Sequence, residues 1–363
     1  MKRHILTSLV LTIISIVCHA QNDGPYIIYQ EDGSARIITV DADAKVHDQI
    51  STMTTPGTVF NVKSNDGRYS FDVTLHANAR PAWKHSKSDK IFVMSDPHGN
   101  LDCVISLLQG NGVIDNDLHW SFGTNHLAIL GDIFDRGPDV TQIFWLVYQL
   151  EAEASAAGGC LSFIYGNHEP MVLSGDLRYT DEKYKSLASQ LGMEFQELMG
   201  PQTELGRWLS TRNTMMLIGD NLFVHAGLSQ DFLDKGLSIP EVNEIMSHGL
   251  FLTKAQRKED SELMNFLFTT YGPIWYRGLV FKKATYFPAS RQTVDDFLDK
   301  YGAKRLFVGH TIFRNVKSFY KGKVIDVNVS NQLNKDKGRS RGVLISGNET
   351  FTVGDKGIKS RIR

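Results

Sequence analysis

Five short segments, each carrying hard metal-ligand side chains and each preceded by an apolar run, constrain this chain more than any other feature. They span residues 96–99, 131–137, 166–169, 225–227 and 309–311, and the runs before them are 91–94, 127–130, 161–164, 222–224 and 306–308. Apolar runs of this length bounded by glycine and aspartate read as buried strands alternating with helical stretches, an α/β pattern. Ligands of α/β sheets bind beyond the carboxyl ends of the strands. One edge therefore collects Asp96, Asp132 and Asp135, the amide of Asn167, and the imidazoles of His98, His168, His225 and His310. Carboxylates buried at that density are tolerable only when cations hold them together.

The ends and the composition narrow the setting. Lys2 and Arg3 form a positive start, residues 5–17 an apolar stretch, and Cys18, His19 and Ala20 resemble a small-x-small cleavage site. Residues 1–20 thus read as a signal peptide. The apolar stretch is short for a membrane span, and a lipid anchor at Cys18 would leave Val17 where a small residue is required. The mature chain is expected to begin near Gln21 and to be exported without stable membrane insertion. It would be periplasmic if the source has an outer membrane and secreted otherwise. With 39 basic against 40 acidic residues, the chain lacks the basic excess of a nucleic-acid binder. Cys103 and Cys160 read as buried small hydrophobes, with a disulfide between them left open. Thiol-nucleophile phosphate chemistry is excluded, because Gln109 and Gly166 stand where a Cys-x5-Arg loop needs its arginine.

Beyond residues 1–20, three regions are expected. Residues 21–86 form a small β subdomain with two hairpins, turning at Asp32-Gly33 and Asn65-Asp66-Gly67. Arg80, Pro81 and the polar run 85–89 read as a linker. Residues 87–355 form the catalytic domain, with helical insertions at 170–220 and 239–272. Within them, 183–199, 204–209 and 239–268 are helix-like, and 323–327, 342–345 and 350–353 read as closing strands. Residues 356–363 form a solvated basic tail. His47, His76, His85, His119, His126 and His248 lie outside the five segments and read as surface or structural.

The five segments in this order resemble the signature of the calcineurin-like metallophosphoesterases. Asp135-Arg136-Gly137 and residues 166–169 are similar to the phosphoprotein-phosphatase branch. Trp275-Tyr276-Arg277-Gly278, the insertion ending in Arg207-Trp208-Leu209, and the leader resemble the Shewanella-like bacterial phosphatases within it. The resemblance covers residues 90–330 and does not extend to 24–85. It departs at Ser95, where the first segment usually opens with glycine.

The resemblance implies an α/β fold, α+β in parts: a metallophosphoesterase β-sandwich flanked by helices. It implies a first metal on Asp96 and His98, with Asp132 bridging to a second on Asn167, His225 and His310. Mixed oxygen and imidazole donors suit manganese, iron or zinc rather than calcium, as two divalent or trivalent ions. Such a pair activates water, so no protein nucleophile is needed. Arg136, Arg277 and Asn167 would bind phosphate, and His168, oriented by Asp135, would protonate the leaving oxygen. The implied activity is hydrolysis of phosphoprotein or phosphopeptide monoesters, with phosphotyrosine favoured. A dinucleoside-polyphosphate hydrolase uses the same segments and is the alternative. A phosphoprotein-binding module without turnover is a third reading.

Overall fold

The computed structural model of the protein describes residues 21–52, 54–331, 335–338 and 340–362; the expected signal peptide lies outside them. Two six-stranded sheets carry the architecture. The first runs Lys359–Arg361, Glu349–Gly354, Arg341–Ser346, Lys90–Met94, His126–Ile129, Cys160–Phe163, its last three strands parallel. The second runs Lys317–Phe319, Val324–Asp326, Arg305–Val308, Asn221–Val224, Met215–Ile218, Lys84–His85, with the second, third and fourth parallel.

The period of two along each strand explains how these sheets stack. Ile91, Val93, Ala128 and Leu130 of the first sheet meet Met216, Phe223, Phe307 and Ile325 of the second in one buried layer. The alternate residues Phe92, Met94, Leu127 and Ile129 face outward onto the helices Leu101–Gly110 and Val140–Ala156. On the other side, Leu222, Val224, Leu306 and Val308 pack on Ile239–His248 and Arg291–Tyr301. The result is a β-sandwich flanked by helices, the expected α/β class.

The helix Val140–Ala156 shows what the N-terminal strands do. Nine consecutive residues, Val140 to Tyr148, are buried, and a helix buried all round needs cover on both faces. The sheet Asp23–Tyr29, Ala35–Val40, Val46–Ser51 and the hairpin Val59–Lys63/Ser70–Thr74 supply the second cover. Trp145 Nε1 donates to the Pro25 carbonyl at 3.0 Å, Gln142 Nε2 to that of Lys63 at 3.1 Å, and Tyr148 OH to that of His76 at 3.0 Å. Tyr26, Ile38 and Val62 share one core with Trp145 and Tyr148.

Several expectations change. Val46–Ser51 is a third strand whose polar, largely exposed face gave no apolar alternation. His85, assigned to the linker, pairs with Lys84 in parallel register against Leu217 and Ile218. Within the expected basic tail, Lys359–Arg361 is solvent-exposed but ordered as an edge strand paired with Phe351–Val353. The helix expected over 183–199 breaks at Gly192, a left-handed stop with φ 65°. A capping box at Glu194 then restarts it as Phe195–Leu198. The stretch 239–268 divides into Ile239–His248, Lys254–Asp260 and Glu262–Leu267, the last two separated by extended Ser261.

The Phe223 and Phe307 rings stack between the sheets at 5.1 Å and 19°. Phe307→Ala is expected to cost about 3–5 kcal/mol, whereas Val59→Thr, at 55% exposure on the hairpin, should stay within about 0.5 kcal/mol. Urea unfolding midpoints measure both. Equal small shifts would contradict the sandwich core.

Candidate metal centre

The first three segments follow Lys90–Met94, His126–Ile129 and Cys160–Phe163; the last two follow Asn221–Val224 and Arg305–Val308. Their turns are unusually strained. Six of the eleven described non-glycine residues with positive φ are Asp96, His98, Asp132, Asp135, Arg136 and His310. Such conformations cost on the order of 1–3 kcal/mol each and persist only where the surroundings over-determine them. Here the turns lock one another. Asp96 N–H donates to the Gly131 carbonyl at 3.1 Å, His98 N–H to that of Asp132 at 3.0 Å, and Gly309 N–H to that of His225 at 2.7 Å. Two glycines permit the contact: a Cβ on Gly166 would lie 2.1 Å from Asp132 Oδ1, and one on Gly309 1.8 Å from Ser95 Oγ.

The locked turns converge on Asp132, 2% exposed. Its Oδ1 accepts the His168 N–H at 2.9 Å. Its Oδ2 lies 3.3 Å from His225 Nε2, 3.8 Å from His98 Nε2 and 3.9 Å from His168 Nε2. Asp132 therefore belongs to two metal-compatible groups, one with His98 and His168 and one with His225 and His310, each with ligand atoms within 4.8 Å of one another. Asn167 Oδ1 is 3.2 Å from His225 Nε2. Asp96 Oδ2 accepts from Ser95 Oγ and, at 3.1 Å, from the His310 N–H. Ser95 thus adds a hydrogen bond where glycine is usual.

The donor set fits cations. The Nδ1 atoms of His98 and His225 lie 2.8 and 2.5 Å from the carbonyls of Phe134 and Leu130. That arrangement fixes the tautomer and turns each Nε2 inward, as for metal-ligating histidines. His310 Nε2 is buried with no hydrogen-bond partner among the described residues, a lone pair awaiting a Lewis acid. Burial holds His98 down to about 3, so it is neutral and ready to ligate. For His225, burial lowers the pKa but the Asp132 and Asp96 charges outweigh it and raise it to about 9. A proton there stands in for missing positive charge.

Around this cluster, His168 Nδ1 lies 2.5 Å from Asp135 Oδ2, and Asp135 Oδ1 accepts from Thr180 Oγ1 at 2.7 Å. Burial would lower the His168 pKa, but the Asp132 charge and Asp135 raise it. Arg136 is exposed and pairs with no carboxylate among the described residues, while its charge depresses both His98 and His168. Arg277 is half-buried; its Nη1 donates to Thr311 Oγ1 at 2.9 Å and to the His310 carbonyl at 3.3 Å. All the expected site residues are thereby brought to one edge. Glu169 was passed over, although it closes the third segment. Fully buried, it accepts N–H bonds from Gly166, Asp132 and Ile133 at 2.6, 3.0 and 2.9 Å, tying two ligand turns together. The aromatic neighbours were missed too: Trp275 meets His310 edge-on at 5.6 Å, and Tyr179 lies 5.6 Å from His168. His85 and His126, read as surface or structural, contact each other edge-on at 4.8 Å; His126 opens its strand, at the end away from the site.

Residues 89–313 match the model of the calcineurin-like phosphoesterases. The chain belongs to this family. Among its calcineurin-like relatives, Shewanella-like protein phosphatase 1 of Plasmodium berghei is 28% identical over 225 residues, 61% of this chain and 61% of the relative. Shewanella-like protein phosphatase 2 of Arabidopsis thaliana is 26% identical over 203 residues, 44% of this chain and 51% of the relative. The chain thus spans about half to three-fifths of these relatives' own length. The crystal structure of a cold-active protein-tyrosine phosphatase from a psychrophilic Shewanella species superposes with a TM-score of 0.85 at 29% identity, covering 94% of this chain and all of that one.

Ligation requires a neutral ring, so metal binding must expel the His225 proton. Calorimetry at pH 7 in buffers of differing ionisation enthalpy should register release of at least about one proton on metal uptake. Affinity should weaken as pH falls further below 9, the raised His225 value. Asp132→Asn should lose most of the bound metal. Full metal content in that variant, or uptake without proton release, would contradict this reading.

Proposed function

We propose that the protein is a dinuclear-metal phosphomonoesterase acting on phosphorylated proteins or peptides, with phosphotyrosine favoured. The observation that carries the reading is the Asp132 carboxylate shared between the groups His98–Asp132–His168 and Asp132–His225–His310; of the first, His168 is paired with Asp135 and is given to proton transfer, with the nearby Asp96 taking its place as a ligand. Asp96, His98 and Asp132 would hold one ion, and Asp132, Asn167, His225 and His310 the other. Manganese, iron or zinc suits these donors. When bound, the ions supply Lewis acidity toward phosphate oxygens and a water acidic enough to react near neutral pH.

The chain's own residues do the rest. Arg136, free of ion pairs among the described residues, offers its fork to the phosphate oxygens, and Asn167 would contribute its amide to them. Arg277 is steadied through Nη1 by Thr311 and the His310 carbonyl; its other nitrogens are left to the substrate. Asp135, fixed by Thr180, holds the His168 ring with Nε2 toward the reacting group. As the P–O bond breaks, the proton on Nε2 passes to the leaving oxygen. A preference for phosphotyrosine is supported by Tyr179, 48% exposed against His168, and by the likeness to a cold-active protein-tyrosine phosphatase. Export through a signal peptide at residues 1–20, to the periplasm where an outer membrane exists, belongs to the same proposal. Among the described residues no helix is long and apolar enough to cross a membrane.

General-acid help of roughly 10²–10⁴-fold matters most for poor leaving groups. His168→Asn should therefore lose most activity on phosphoserine, less on phosphotyrosine and least on p-nitrophenyl phosphate. The acid must be protonated, and Asp135 raises its pKa, so activity on phosphoserine should fall as pH rises through that value. Asp135→Asn should move this alkaline limb to lower pH. Equal losses on all three substrates with an unmoved limb would contradict the role. Aromatic contacts are worth about 0.5–1.5 kcal/mol, so Tyr179→Ala should lower kcat/KM for phosphotyrosyl peptides about two- to tenfold, sparing phosphoseryl ones. Equal effects on both would remove Tyr179 from substrate recognition.

A further inference from the structure

A cavity of about 670 Å³ opens beside the candidate centre, sharing Asn167 and Trp275 with it. Its walls come from the segment after Asn167 and from the two short helices Lys254–Asp260 and Glu262–Leu267. The proposed phosphate chemistry accounts for none of these helical residues.

The charges of this cavity do not balance. Arg178 is matched by Asp176 at 2.5 Å. Arg257 is 7% exposed, lies over the Phe268 ring at 3.9 Å, and pairs with no carboxylate among the described residues. Its Nε donates to the Gly249 carbonyl at 2.8 Å, and its Nη2 to those of Leu250 and Pro170 at 3.2 and 3.4 Å. Burial lowers its pKa to about 10, with no neighbouring anion to offset the loss. It is still charged at neutral pH. A buried cation without a counter-charge is costly, and the open side of this one is the cavity. Lys254, exposed on the same wall, also has no ion-pair partner among the described residues.

We propose that this cavity is a substrate subsite for an acidic side chain close to the phosphorylated residue of a peptide, with Arg257 and Lys254 as its cations and Phe268 as its floor. The proposal rests on the phosphopeptide reading above. Successive residues of an extended chain are about 3.3–3.6 Å apart. With the phosphate anchored beside Asn167, the peptide backbone stands one side-chain length away, and a neighbouring side chain reaching back from it enters the cavity that begins there. Arg257 has committed Nε and Nη2 to backbone carbonyls, so it presents no bidentate fork. The Nη1 group together with the Lys254 ammonium suits a monoanionic carboxylate better than a second phosphate.

The test uses the full metal-loaded protein and matched phosphotyrosyl peptides flanked by Glu or by Ala. Affinity is read with non-hydrolysable phosphonate analogues, and kcat/KM with the phosphopeptides. Acidic analogues should bind at least about tenfold more tightly, a difference of about 1.4 kcal/mol. Arg257→Met should abolish that preference. Because Arg257 also ties three carbonyls and this variant can misfold, Lys254→Glu on the exposed wall is the second arm and should remove the preference. Equal affinities in the wild type, or a preference that survives Lys254→Glu, would overturn the subsite. Turnover of p-nitrophenyl phosphate without acidic preference refutes the subsite and leaves the phosphatase reading standing. Selective binding of acidic analogues without turnover of any substrate does the reverse. Lys254-dependent inhibition by diadenosine tetraphosphate, with no acidic-peptide preference, would overturn the peptide assignment in favour of a polyphosphate.

Discussion

The buried carboxylate of Asp132 faces three imidazole nitrogens within 3.9 Å while its other oxygen receives a backbone N–H. Burial opposes its ionisation, yet the His225 and His168 charges hold its pKa well below the ordinary carboxylate range. An anion so enclosed requires positive charge at close range. Without metal that charge is a proton on His225; the proposed ions would replace it. The orientation of His98, His168 and His225 through Nδ1, and a His310 Nε2 without partner among the described residues, follow from the same requirement.

Holding that carboxylate in place is the task of the sandwich. Strained turns at Asp96, His98, Asp132 and His310 can be kept only because parallel neighbours bring their backbones into direct contact and because Glu169 receives three N–H groups from two of the turns. Burial and the Asp132 charge raise the Glu169 pKa to about 7, against the N–H donors that lower it.

Much of this was legible in the sequence because it is local. A strand followed by a ligand-bearing turn is written in consecutive residues, and five such units fix where the strands end. The sandwich and the pairing of Asp135 with His168 came only with the family resemblance, since the core strands are apolar on both faces and show no alternation. Glu169 was not assigned a role, because its partners are backbone N–H groups that leave no pattern. Tyr179 and the cavity around Arg257 lie in insertions whose helices are visible as helices but whose packing is tertiary. The pairing of Lys84 and His85 to the second sheet, and the third N-terminal strand, escaped for the same reason: both are polar edges held by hydrogen bonds rather than by an apolar face.

The central claim is that one carboxylate serves two metals. The most direct test is anomalous diffraction from crystals of the protein loaded with manganese or zinc. Two peaks about 3.5–4 Å apart, each within bonding distance of Asp132, with His98 beside one and His225 and His310 beside the other, are the predicted result. A single peak, or two that do not share Asp132, would contradict it.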